Sequence, residues 1–167
     1  PGKAIETDSE LRTRRNRTLA TAGAGTVEAI RSRILEIDEV EDARVFENDS
    51  DVTDVFGRPP HSFEAVVLGG NNQDIVNTIW QVKPAGIRSY GDLSYPIIDS
   101  MGFTHIIQYS TPTEIPIYVT ATIRTGPDFP VGGAAAIRQA IVDYSIVHFG
   151  IGIDVIMIKL FSAIEDI

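Results

Sequence analysis

The sequence changes its apolar period within one stretch, Ser62 to Lys83, at the pair Gly69-Gly70. Before the pair, apolar residues recur at every second position, as in a strand with one buried face. After it, they recur every three or four positions, as on a helix, until Pro84 disfavours helix at the residue before it. The stretch therefore predicts a strand, a sharp turn and a core-facing helix.

The glycine pair has two interpretations, a phosphate-binding loop and a plain turn. A P-loop needs a Lys-Ser or Lys-Thr pair after the glycines, and here Asn71, Asn72, Gln73 and Asp74 follow. A dinucleotide-binding loop needs three glycines in register. Glycine adopts the positive φ angles of a turn without strain, and Asn71 or Asn72 can cap the next helix. We therefore predict a turn followed by a capped helix.

The patterns around this stretch predict an α+β fold. Residues 23–95 form a first subdomain, with helices near 26–38 and 72–83 on one face of a sheet built from 42–48 and 62–68. Each helix has one apolar face, which the sheet or the other helix must cover. The two strands follow one another along the chain, so we expect them to pair in a small, mostly antiparallel sheet.

A second small α+β subdomain, with helices on its own mostly antiparallel sheet, is predicted over residues 96–167. Its clearest element is the run IPIYVTATIR, in which apolar and more polar residues alternate from Ile115 to Arg124. This alternation is typical of a strand with one buried and one wetter face. Short β segments are predicted before it, near 96–99 and 105–110.

The last part of the second subdomain has weaker patterns. A helix is predicted from Val131, and Gly150 and Gly152 end it. The residues that follow fit a last helix capped by Asp154, but Ile151–Met157 also alternates as a strand would. Both interpretations remain open at this point.

Residues 1–22 are predicted to form a peripheral helix, Thr7–Ala20. Thr7 and Glu10 have the spacing of a capping box. The apolar stripe of this helix is thin, and four arginines spread around its circumference: Arg12, Arg14, Arg15 and Arg17. A helix of this kind suits the outside of a domain, so we interpret it as a candidate docking surface for a partner protein.

The charge of the chain is negative and unevenly distributed. The net charge is −9, with nine acidic residues and one basic residue between Glu36 and Asp54, and five basic and three acidic residues between Pro1 and Ala24. Sequence-independent binding to nucleic acid relies on Lys and Arg, which makes this chain a poor candidate for it. The sequence has no cysteine, which excludes disulfides, thiolate metal sites and a cysteine nucleophile.

Three aspartates in the acidic loop, Asp49, Asp51 and Asp54, have a spacing that suggests calcium ligation. A calcium loop of the EF-hand type also needs a glycine at its sharp turn and a distal bidentate glutamate. Asp54 stands where that glycine would fall, and Pro60 where the glutamate would fall. A solvated loop is favoured, and a metal- or small-ligand-binding domain that uses residues 48–54 is the alternative function.

No catalytic constellation is recognisable in the sequence. His61, His105 and His148 are far apart, and no HExxH or GxSxG motif occurs. We interpret His105 as a half-buried structural residue and His61 as an exposed one. The sequence therefore nominates no catalytic, cofactor-binding or metal-binding residue, and it predicts that the protein is not an enzyme.

Several stretches in a fixed order resemble the baseplate J-like family, assembly proteins of the baseplate wedge in contractile-tailed phages and related injection devices. They are ETDSELRTRR (Glu6–Arg15), VEDARVFEND (Val40–Asp49), GRPPHSFEAVVLGGNNQDIVNTIWQVKPAGIRSYGD (Gly57–Asp92), HIIQYSTP (His105–Pro112) and IPIYVTATIR (Ile115–Arg124). The third stretch is the most specific of these, and together they span nearly the whole chain.

The resemblance implies a structural, multi-copy role in the tail baseplate of a virion, assembled in the host cytoplasm. The implied partners are other baseplate and tail subunits and further copies of the chain. Nucleic acid, membrane, small-molecule substrates and cofactors are not implied. The resemblance also implies that more chain precedes and follows this sequence, including a strand after Ile167.

The ligand-binding alternative can be tested by measuring whether the acidic loop binds calcium. Titration of the protein with calcium at millimolar concentration is expected to give no saturable heat in calorimetry, because the glycine and glutamate of a known loop type are absent. A one-to-one binding curve would contradict this prediction and favour the alternative function.

Overall fold

The structure, a computed structural model, describes residues 25–126 and 129–164. Its elements follow the chain in this order: α1 (Val27–Ile34), β1 (Val40–Asn48), β2 (Ser62–Gly69), α2 (Asn72–Val82), β3 (Arg88–Tyr90), β4 (Leu93–Ile98), β5 (Thr104–Tyr109), α3 (Gly133–His148) and α4 (Met157–Ser162). The chain divides into two compact units between Pro112 and Thr113. Helices and small sheets, mostly antiparallel, make this the predicted α+β fold.

The central strand of the first unit is β2, in a three-stranded sheet with the order β1-β2-β3. β1 pairs with it antiparallel along its whole length, from Asn48 opposite Ser62 to Val40 opposite Gly69, which confirms the predicted pairing. β3 pairs in parallel with the first three residues of β2. Strand β3 was not predicted from the sequence, because three residues are too few for a recognisable alternation.

Helices α1 and α2 cover one face of this sheet, as predicted. The Thr26 hydroxyl accepts a hydrogen bond from the Ala29 N–H at 3.2 Å, and the Asn71 side chain accepts one from the Gln73 N–H at 2.8 Å. These caps satisfy backbone donors that the helices leave unpaired. The two helices and the sheet share one core: Ile30, Ile34, Ala43, Val45, Phe63, Ala65, Val67, Ile75, Val76 and Ile79.

The glycine pair after β2 forms the predicted turn. The φ angles are 78° at Gly69 and 79° at Gly70, a region that residues with a Cβ atom rarely adopt. A Cβ atom on Gly69 would collide with the backbone oxygen of Glu39, and one on Gly70 with the side chain of Val40. The space beside the glycines is therefore occupied by the residues that lead into β1.

Strands β4 and β5 form an antiparallel hairpin that belongs to the first unit. Ile107 and Tyr109 of β5 are fully buried in its core. The Tyr109 hydroxyl donates to Asn72 Oδ1 at 2.8 Å, and Asn72 Nδ2 donates to the Tyr95 hydroxyl at 2.7 Å. Burial, followed by the nearby Tyr95, raises the pKa of Tyr109 to about 12. This packing explains why the chain divides after Pro112 and not at the boundary near residue 95 that was predicted from the sequence.

The second unit contains α3, α4 and the segments before and between them. α3 agrees with the helix predicted from Val131. The last element is a helix and not a strand, but it begins at Met157, after an Ile156 cap residue that makes no side-chain hydrogen bond. The predicted cap at Asp154 is therefore wrong, because the helix starts two residues later than the sequence suggested.

The predicted strand over Ile115–Arg124 is also wrong. Residues 113–126 contain no helix or strand, and no residue that the structure describes pairs with them. Apolar alternation shows that one side of a segment suits burial, but a strand also needs a neighbouring edge for its backbone hydrogen bonds. The predicted peripheral helix Thr7–Ala20 lies outside the described residues.

The packing of the hairpin can be tested with two adjacent isoleucines. Ile107→Ala is expected to lower the free energy of unfolding by about 2–5 kcal/mol, because it removes a fully buried side chain from a close-packed core. Ile106→Ala is the matched control, since Ile106 is 57% exposed and its loss should change the free energy by less than about 0.5 kcal/mol. Equal effects of the two substitutions in chemical denaturation would contradict the described packing.

Candidate interaction surface

The loop between β1 and β2 is folded around the carboxylate of Asp54. Its Oδ1 accepts hydrogen bonds from the backbone N–H groups of Phe56 and Arg58, at 2.9 Å each. The Asp54 N–H donates to the Arg58 carbonyl and the Asp54 carbonyl accepts from the Gly57 N–H, at 3.1 Å each. Gly57 has a φ of 84°, which suits glycine. We call residues Asp54–Arg58 the Asp54 turn.

The connection between β4 and β5 repeats this arrangement around Asp99. Its Oδ1 accepts from the N–H groups of Met101 and Phe103, at 2.9 Å each. The Asp99 N–H donates to the Phe103 carbonyl at 2.9 Å, and the Asp99 carbonyl accepts from the Gly102 N–H at 3.0 Å. Gly102 has a φ of 88°. We call residues Asp99–Phe103 the Asp99 turn.

Both turns hold bulky apolar side chains in solvent. The residue two positions after the aspartate is Phe56 in one turn, which is 71% exposed, and Met101 in the other, which is 76% exposed. Val55 and Phe103 are exposed beside them. Four hydrogen bonds around one aspartate fix the backbone of each turn, so these side chains project from a defined support and not from a loose loop.

Arg58 attaches the Asp54 turn to the sheet. Its side chain is only 10% exposed, and its guanidinium donates to Asp54 Oδ2 at 3.0 Å and to Glu64 Oε2 at 2.9 Å. It also lies over the rings of Phe46 and Phe56, at 4.7 and 4.8 Å from their centroids. A buried charge is costly unless it is paired and hydrogen-bonded, and Arg58 has two carboxylate partners.

The chain of contacts continues from Glu64 to the end of the hairpin. The second carboxylate oxygen of Glu64, Oε1, accepts a hydrogen bond from the Ser110 hydroxyl at 2.7 Å. That hydroxyl in turn accepts a hydrogen bond from the Asp92 N–H at 3.1 Å. Glu64 lies in β2, so one carboxylate links the Asp54 turn, the central strand and the residue that follows β5.

The Asp99 turn is attached to α2 through a histidine. Asp99 Oδ2 lies 2.9 Å from His105 Nε2, and the His105 ring is tilted against Trp80 with centroids 4.4 Å apart. The hydrogen bond with His105 lowers the pKa of Asp99, and the N–H groups of Phe103 and Met101 act in the same direction against the effect of burial. The carboxylate is therefore held in its charged, accepting form.

A comparable balance applies to Asp54. Burial opposes its ionisation, but the N–H groups of Arg58 and Phe56 and the Arg58 guanidinium outweigh this effect and lower its pKa. In both turns, the ionised aspartate satisfies backbone donors that the bend of the chain leaves unpaired.

Two of the three aspartates considered as metal ligands, Asp54 and Asp51, have separate partners. Asp54 is occupied by its own turn and by Arg58, and Asp51 Oδ1 lies 2.9 Å from His61 Nε2. Within residues 25–126 and 129–164, no group of three or more His, Asp or Glu side chains is arranged to hold a metal ion. His61 is exposed and His105 is half-buried, as predicted.

Neither aspartate turn was predicted from the sequence as a site. A signal was present, since the pattern aspartate, any residue, apolar residue, glycine occurs at Asp54–Gly57 and again at Asp99–Gly102. It went unrecognised because the first copy lies among other aspartates and the second lies in a segment that looks irregular. The pattern predicts a turn, but it does not predict that the apolar side chain stays exposed.

Comparison with known proteins found no family model and no curated protein that matches the chain. In the part of the chain that the structure describes, no helix is both long enough and apolar enough to cross a membrane.

The charge of Asp99 can be tested by its effect on stability at different pH values. A carboxylate whose pKa is lowered by folding stabilises the protein above its usual pKa of about 4 and stops doing so as the pH falls through the folded value. Asp99→Asn keeps an oxygen acceptor but loses the charge. The variant should therefore melt below the wild type near pH 7, and this difference should shrink below about pH 4.

Asp38→Asn is the matched control, because Asp38 is an exposed aspartate outside both turns. Its melting temperature should follow the wild type across the same pH range, with circular dichroism as the measurement. No effect of Asp99→Asn near pH 7 would show that an uncharged oxygen acceptor is enough to organise the turn, and an effect that does not change with pH would contradict the role of the charge.

Proposed function

We propose that the chain is a structural subunit of a phage tail baseplate, located in the baseplate wedge, that works through protein–protein contacts and turns over no substrate. The observation that carries this proposal is the pair of aspartate turns. Each presents a bulky apolar side chain, Phe56 or Met101, on a backbone fixed by four hydrogen bonds.

Exposed apolar side chains on a fixed backbone are what a protein interface requires. Binding energy in such interfaces is concentrated in a few bulky residues near the centre of the contact. Ordering a flexible side chain on binding costs about 0.5–1.5 kcal/mol, and flexible loops add to this cost. The hydrogen bonds around Asp54 and Asp99 remove much of the backbone contribution in advance.

The identity of the assembly comes from the resemblance to the baseplate J-like family. The stretch Val40–Asp49 covers β1, and the most specific stretch, Gly57–Asp92, runs from the Asp54 turn through β2 and α2 to β3. The resembling sequence therefore includes the elements that hold the Asp54 turn in place. The proposed partners are other baseplate and tail subunits and further copies of the chain, and the net charge of −9 disfavours nucleic acid.

The proposed function predicts where the protein is found and what the turns do. Antibody against the protein should label the baseplate end of the tail in particles of the phage that carries it. Phe56→Asp combined with Met101→Asp should leave folding intact, because both side chains are exposed, and should prevent complete tails from forming. Thermal unfolding of the purified variant and electron microscopy of the particles are the two measurements.

Gln73→Asp is the control, because it adds a negative charge at an exposed position of α2 outside both turns. It should give complete, infectious particles. Absence of the protein from purified particles would contradict the baseplate role itself. Complete tails from the Phe56 and Met101 double variant would contradict the role of the turns. The antibody labelling would then decide separately whether the protein lies in the baseplate.

A further inference from the structure

The second unit leaves most of its apolar side chains in solvent. Of the 22 large apolar side chains that are exposed in the described residues, 15 belong to this unit. Among its residues up to 126 and from 129 to 164, only Gly133 and Leu160 are buried. Apolar surface of this extent marks an interaction site in a soluble protein.

We propose that a second copy of this chain covers this surface, by pairing the segment Glu114–Arg124 antiparallel with the same segment of the other copy. The two-fold axis passes beside Val119. The proposal rests on the proposed function, which calls for protein–protein contacts, and it names one partner. A two-fold contact of this kind uses the same surface on both copies and closes after two subunits.

The apolar residues of the segment match one another in this register. Ile115 faces Ile123 of the partner copy, Ile117 faces Ala121, and Val119 faces its own counterpart. Residues directly opposite in an antiparallel pair project to the same side, so these side chains form one continuous apolar face. Tyr118, Thr120 and Thr122 lie on the other face, which is more polar.

The charges of the segment select the same register. Glu114 falls opposite Arg124 of the partner copy, and the two-fold axis generates this pair twice. Opposite charges that face one another across strands stabilise their pairing. A shift by two residues removes both charge pairs, and a shift by one places apolar side chains of one copy on the polar face of the other.

Pro116 is compatible with this pairing. Residues of one parity in an antiparallel strand direct their backbone groups toward the same neighbour. If Ile115, Ile117 and Val119 form the hydrogen bonds to the partner copy, the missing N–H of Pro116 faces away from it. The outer edge of the pair then lacks one donor, which discourages addition of a third strand.

The exposed area is sufficient for a stable dimer. Full burial of one such side chain removes roughly 60–120 Å² of apolar surface from water. Fifteen partly exposed side chains therefore offer on the order of 800 Å² per copy, the size of a standard interface. Two strands alone are marginally stable, but α3 and α4 also expose apolar residues that can cover the apolar face, among them Ile146 and Ile158.

The first test is the oligomeric state and a symmetric cross-link. The chain has no cysteine, so a single introduced thiol reports on one position. The full chain should be a dimer in sedimentation equilibrium. Val119→Cys should form a disulfide-linked dimer under mild oxidation, because position 119 faces its counterpart at a Cα separation of about 5.5 Å.

Tyr118→Cys is the control, because Tyr118 is more exposed than Val119, at 90% against 46%, and would cross-link more readily by random collision. In the proposed register it faces Thr120, and its own counterpart lies about 7–8 Å away, beyond disulfide reach. Equal cross-linking of the two variants would overturn the proposal. A monomeric full chain, as expected if another protein or another part of a longer chain covers the segment, would overturn it as well.

The second test reverses the charges. Glu114→Lys should raise the dissociation constant of the dimer about tenfold or more, because each copy then places Lys opposite Arg124. Glu114→Lys combined with Arg124→Glu should restore dimerisation, since both pairs become attractive again. Failure of the double variant to dimerise, while its first unit keeps the wild-type melting temperature, would overturn the register. Loss of baseplate labelling with an intact dimer would instead contradict the proposed function.

Discussion

The first unit depends on the central position of β2, because both edges of this strand carry backbone hydrogen bonds. β1 occupies one edge along its full length, and β3 occupies the start of the other. Further along that second edge, the Ser110 N–H donates to the Ala65 carbonyl at 2.8 Å, and the Ser110 carbonyl accepts from the Val67 N–H at 2.9 Å. The helices and the hairpin therefore take their positions from one strand.

The same strand supports the surface that we assign to assembly. Glu64 of β2 binds Arg58 on one side and Ser110 on the other, so the Asp54 turn is held by an ionic pair that is mostly shielded from water. The Asp99 turn reaches α2 through His105 and Trp80. Both turns thus connect to the core by a side chain that is itself hydrogen-bonded, and this is how a small domain can present apolar residues without folding them inward.

The two units differ in how much of their apolar surface is buried within the described chain. In the first unit, α1, α2 and the hairpin bury the apolar face of the sheet within the chain. In the second, the best strand pattern of the sequence, IPIYVTATIR, has no neighbouring edge among the described residues, and its side chains are exposed. The described residues leave exposed an apolar pattern that suits burial, and this contrast is the basis of the proposed contact with a second copy.

The sequence by itself determined the local features of this protein. Thr26 and Asn71 cap helices, Gly69-Gly70 turns the chain, and the apolar periods locate α1, α2, β1 and β2, because each of these depends on residues within a few positions of one another. Only the tertiary structure decided the placement of β3 and the hairpin, the pairing of Arg58 with Glu64, and the exposure of Phe56 and Met101. It also decided that residues 115–124 pair with no strand in the described part of the chain. These features depend on which distant segment supplies a neighbouring edge or a counter-charge, and no short-range pattern contains that information.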